Sequence, residues 1–79
     1  MQITLNGDLF ELAGPLTLTQ LLTTLDVDPL RVAVEHNFVI VKRKAYDSTM
    51  VGEGDQIEVV NVVGGGQQID ARRSLNYRQ

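Results

Sequence analysis

Few residues of this chain could act on a substrate. It contains no cysteine and a single histidine, His36, so neither a thiol nucleophile nor a Cys/His zinc set is available. His36 precedes an Asn-Phe turn, and nothing nearby in the sequence supplies a partner. It is expected at the surface rather than in catalysis. The carboxylates are scattered over turns and strand ends, a pattern of solvation rather than of a paired acid and base. Lys42-Arg43-Lys44 is the one basic cluster. It reads as a solvated loop, with docking of an acidic or phosphate-bearing partner as the functional alternative. Gly64-Gly65-Gly66 is the remaining feature. No Gly-Lys-Ser/Thr follows it, so it is not a phosphate loop. Three glycines are either a flexible linker or an arm that enters a channel closed to residues with a Cβ. Fully extended, three residues reach about 10 Å. No catalytic side chain and no metal site are expected.

A chain of 79 residues is one small domain, too short for a deep substrate cleft. With 43% hydrophobic and 22% charged residues it has globular composition. No apolar run approaches the roughly 20 residues of a membrane span, and no basic leader opens the chain. The expectation is a cytoplasmic protein with no membrane partner. The net charge of −3 is uneven. Residues 1–66 hold nine acids against four bases, −5, whereas residues 67–79 hold Asp70 against Arg72, Arg73 and Arg78, +2. An acidic body argues against a nucleic-acid partner.

The elements that would carry the glycines follow from periodicity. Gln2–Asn6 alternates polar and apolar residues as a half-buried strand does, and Asn6-Gly7 is a strong hairpin signal with Leu9–Leu12 returning. Gly14-Pro15 breaks the sheet. Thr17 with Gln20 forms a capping box, and Leu18, Leu21, Leu22 and Leu25 line one helix face up to Asp28-Pro29. Arg31–His36 and Val39–Lys42 read as short strands, and Lys44–Met50 has room for a helical turn. Ile57–Val63 is the last strand, with Ile57, Val59 and Asn61 on one face and Glu58, Val60 and Val62 on the other. Residues 67–79 lack periodicity and read as a flexible basic tail. The fold class is α+β, a mixed sheet with one main helix packed across one face. Val60 and Val62 then point away from the helix toward solvent. Beside Gly64 they are candidate partner contacts, with good strand formers as the plainer reading.

Val34-Glu35-His36-Asn37, Ile40-Val41-Lys42-Arg43, Gly54-Asp55-Gln56-Ile57-Glu58-Val59-Val60 and Val63-Gly64-Gly65-Gly66 together resemble the ThiS family of sulfur carriers in thiamine biosynthesis. The resemblance covers residues 1–66. It implies a ubiquitin-like β-grasp fold for 1–66. It also implies that an E1-like enzyme uses ATP to adenylate a C-terminal glycine, which becomes a thiocarboxylate and gives its sulfur to thiazole synthase. Gly65 and Gly66 match the family's terminal pair, so Gly66 would carry the sulfur. The implied partners are the adenylating enzyme, thiazole synthase and a sulfur donor protein, with no cofactor on the carrier itself.

Here Gly66 is followed by Gln67–Gln79, so its carbonyl lies in an amide bond. Trimming by a C-terminal processing protease, an artefact of the gene boundaries, or loss of sulfur transfer would each account for this. The first two are favoured, because the triplet otherwise meets no demand. Asn37-Phe38 also departs from the usual Asn-Gly, which leaves the turn type open. A molybdopterin-synthase-type carrier shares the fold and the Gly-Gly end, but often has prolines near the last strand, where this chain has none. A β-grasp interaction module that carries nothing is the third alternative.

Overall fold

The computed structural model describes residues 1–63 and 68–74, with side chains through Val62. Strands β1 (Gln2–Leu5) and β2 (Asp8–Glu11) form the expected hairpin. Its two-residue loop places Asn6 and Gly7 at φ of 50° and 87°. Both values lie in the left-handed region, where Asn and Gly are tolerated best. A short β3 (Leu16–Thr17) leads into α1 (Leu18–Thr24). The capping box is complete. Thr17 Oγ1 accepts from the Gln20 amide at 3.1 Å, and Gln20 Oε1 accepts from the Thr17 amide at 2.9 Å.

The helix stops earlier than Asp28-Pro29. Asp26 takes φ of 60°, the Asp26 amide donates to the Thr23 carbonyl, and the Val27 amide reaches back to the Leu22 carbonyl at 2.9 Å. This Schellman-type closure satisfies the last carbonyls of the helix. Asp28 then caps a 3₁₀ turn over Pro29–Arg31. β4 (Val32–His36) and β5 (Val39–Val41) form the second hairpin, and another 3₁₀ turn over Arg43–Ala45 follows. β6 (Met50–Val51) pairs with β3 in a separate two-stranded sheet that the sequence pattern did not reveal. Two residues are too few to show a period.

β7 (Gln56–Val63) is the spine of the main sheet. The strand order is β2-β1-β7-β4-β5, with β1 and β7 parallel and the other neighbours antiparallel. One face of this mixed sheet packs on the helix. Ile3, Leu5, Val32, Val34, Ile57 and Val59 meet Leu18, Leu21, Leu22 and Leu25, all at most 6% exposed. At about 25 cal/mol per Å² of apolar surface, this layer is the main source of stability in so short a chain. The topology is that of a ubiquitin-like β-grasp.

The tail departs from expectation. Gln68–Ser74 form β8, antiparallel to β7, with Val63 opposite Gln68, Val62 opposite Ile69 and Val60 opposite Ser74. A β-strand can be imposed by an open sheet edge without any hydrophobic period of its own, because the pairing is made by backbone groups. Residues 64–67 and 75–79 lie outside the described part.

Candidate functional site

The glycine triplet sits beyond the end of β7, so the site is built from that strand. Gly64, Gly65 and Gly66 themselves lie outside the described residues. The two valines before them are placed. Val62 is half-buried. Val60 is only 5% exposed and stands apart from the core cluster, so the expectation of two solvent-facing valines is corrected. The alternation was right: Val60 is on the face away from the helix. Its neighbours on that face are what a strand pattern alone could not supply.

Those neighbours form a hollow of about 310 Å³ whose lining includes Ala33, Glu35, Phe38, Ile40, Glu58 and Val60, with Val34 beside them. Three strands and one turn contribute to it. Glu35 and Glu58 are direct cross-strand partners, an arrangement that like charges disfavour. Neither makes an ion pair with another described residue. Phe38 and Ile40 are 74% and 68% exposed. The hollow therefore offers an apolar floor with an acidic rim, suited to an apolar group flanked by positive charge. Sequence reasoning missed these residues because Glu35 and Glu58 meet only through the β4–β7 register. Phe38 did leave a signal, as the wrong residue for its turn. Asn37 and Phe38 take φ of 52° and 71°, the left-handed pair that a two-residue type I′ hairpin needs. The turn type left open is thus resolved, with an aromatic residue held in strained backbone.

The other end of β7 is knit by side chains from both hairpin turns. Asn6 Nδ2 donates to the Val59 carbonyl at 3.1 Å, and Asn6 Oδ1 accepts from the Val59 amide at 2.8 Å. Asn37 Oδ1 accepts from the Gln56 amide at 2.8 Å. Asn37 Nδ2 also reaches Asp55 Oδ1 at 3.2 Å. Asp55 Oδ2 lies 2.8 Å from His36 Nε2 and accepts from the Gly52 amide at 2.8 Å. Partial burial pushes the Asp55 carboxyl up, but bonds from the Gly52 amide, His36 and Asn37 outweigh it and hold the carboxyl below its ordinary value. His36 therefore has the partner that the sequence did not show. The cluster ties the β4–β5 turn to the start of β7, at the end of the strand opposite Val63.

Lys42, Arg43 and Lys44 are exposed, and the Arg43 Nε donates to the Pro29 carbonyl at 3.2 Å. Among the described residues no group of three or more His, Cys, Asp or Glu could hold a metal ion. No helix among them is long and apolar enough to cross a membrane.

A model of the ThiS family matches residues 3–66. The chain is 38% identical to the thiamine biosynthesis protein ThiS of Geobacter metallireducens in its crystal structure, with a TM-score of 0.76, covering 84% of this chain and all of that one. It is 45% identical over 67 residues to a thiazole synthase of Magnetococcus marinus, covering 85% of this chain and 21% of that protein. It is 35% identical over 66 residues to the ycf40 protein of Porphyra purpurea, covering 84% and 93%. The chain thus spans about a fifth of the thiazole synthase it resembles and nearly all of the ycf40 protein.

Proposed function

The chain belongs to the ThiS family, and from that premise we propose that it is a sulfur carrier of thiamine biosynthesis whose reactive group is the carboxylate of Gly66. The observation that carries this reading is where the family match stops: at Gly66, the third glycine after β7. The chemistry needs no side chain from the carrier, which agrees with a chain without cysteine. A free carboxylate resists nucleophiles. Adenylation joins its oxygen to the α-phosphorus of ATP and releases pyrophosphate. Sulfide released by a donor protein then attacks the acyl carbon, and AMP leaves, so the thiocarboxylate forms with no change of oxidation state. The resulting thiocarboxylate would give its sulfur to thiazole synthase. A relative bearing that name contains the matched region within one chain, which supports the two acting together.

In this reading hydrolysis of the Gly66–Gln67 amide precedes loading, and the carrier is not itself an enzyme. Intact-mass measurement tests it. A chain ending at Gly66, incubated with an E1-like enzyme, ATP and a sulfur source, is expected to exchange one oxygen for one sulfur. It should also restore growth without thiamine in a strain lacking its carrier. An unmodified mass, or ATP turnover by the chain alone, would overturn the reading.

A further inference from the structure

β2 and β5 end the strand order of the main sheet, and the two differ in character. β2 carries an acid at each end, Asp8 and Glu11, a device that discourages pairing with another chain. β5 is wholly apolar, and Val39 at 65% exposure continues the exposed run from Phe38 to Ile40. Its backbone is also turned for pairing. The Asn37 amide donates to the Gln56 carbonyl at 2.7 Å, so the alternate residues Glu35 and Ala33 turn their backbone groups toward β7. Val34 and His36 turn theirs toward β5, where their partners are Val41 and Val39. The Ile40 amide and carbonyl therefore point out of the sheet edge.

We propose that β5 pairs antiparallel with β5 of a second copy of this chain, about a two-fold axis at Ile40. Ile40 then faces Ile40 of the second copy, and the two exchange a pair of backbone hydrogen bonds. The same register sets Val39 against Val41, and Phe38 against Lys42, of the second copy. Lys42 is extended, at φ of −69° and ψ of 145°, so the strand conformation runs on to it. The run from Phe38 to Lys42 is thus its own complement. β-Branched side chains meet β-branched side chains, and the Lys42 ammonium, which has no ion pair among the described residues, meets an exposed aromatic ring. Such a contact is isologous and closes at two copies. A three-residue strand buries far less than the roughly 1,200 Å² of a standard interface, so the dimer is a weak one. Charge opposes it. Each chain carries −3, and Glu35, the β4 partner of Ile40, stands near the axis in both copies. Salt should therefore tighten the pairing. The pairing does not depend on sulfur transfer.

Sedimentation of the full chain reads the association. Its average mass should rise toward that of two chains between about 10 µM and about 1 mM, the range of a weak contact. Raising the salt from about 0.02 M to about 0.5 M should lower the midpoint about threefold. Ile40→Pro removes only a donor that points away from β4, so it should fold and stay monomeric over the same range. Cross-linking gives a second reading, because the chain has no cysteine of its own. In a glutathione buffer, Ile40→Cys should form covalent dimers about tenfold faster than Leu9→Cys, whose site on β2 is 72% exposed. A chain that stays monomeric at about 1 mM would overturn the proposal. So would a folded Ile40→Pro variant that associates as the parent does, or equal cross-linking from the two cysteine variants.

Discussion

The two halves of β7 are built on different principles. The first half, Gln56–Val59, is fixed by apolar burial on one face and by side-chain bonds at both edges: Asn6 to Val59 and Asn37 to Gln56. In the second half, Val60 and Val62 stand outside the core cluster under the helix, and the strand there is held by backbone pairing to β4 and β8. One end of the strand is a foundation, and the other lies outside that foundation. In the proposed carrier, whose reactive group would follow β7, both are useful on one strand, because a reactive terminus is positioned well only if its root stays still.

Core substitutions probe this contrast most strongly. Ile57→Ala, at a position 1% exposed, is expected to cost about 2–5 kcal/mol in denaturant unfolding. Val62→Ala, half-buried in the second half, is expected to cost under about 1 kcal/mol. Equal losses would erase the difference between the halves.

The polar clamp comes next. Asp55→Ala leaves the Gly52 amide and Asn37 without their acceptor and should cost about 1–3 kcal/mol. The pH dependence has a definite sign. The folded-state carboxyl lies below its ordinary value, so its contribution is complete above the unfolded value of about 3.9 and is lost as pH falls through the folded value. Unfolding measured from neutral pH downward should show this loss in the parent and a smaller one in Asp55→Ala. Identical acid profiles would show that Asp55 does not anchor the strand.

A smaller effect of opposite sign is expected at the turn. Phe38→Gly relieves a residue at φ of 71° and should stabilise the fold by about 0.5–1 kcal/mol, since glycine adopts that region freely. It also removes a wall of the hollow. If binding of the adenylating enzyme weakens while stability rises, the exposed aromatic ring serves contact rather than folding.

Much of the fold was legible in the chain. The Asn6-Gly7 turn, the Thr17–Gln20 box and the leucine stripe are local signals, each carried by residues within one turn or one hairpin of each other. The strand β7 and its two faces were legible for the same reason. The two-residue strands β3 and β6 were not, being too short for any period. Asp26, rather than the proline, ended the helix, because a left-handed residue can close the last turn wherever its carbonyls find donors.

The candidate site divides in a similar way. The sequence by itself determined that no thiol and a single imidazole are available, and it showed the glycine triplet, the strand before it and the charge contrast between body and extension. Tertiary structure alone decided what those features touch. It set Glu35 against Glu58, gave His36 its partner Asp55, and buried Val60. It also laid Gln68–Ser74 along β7. The physical reason is register. Side-chain periodicity is written along the chain, but which backbone groups remain open at a sheet edge depends on where every neighbouring strand stops.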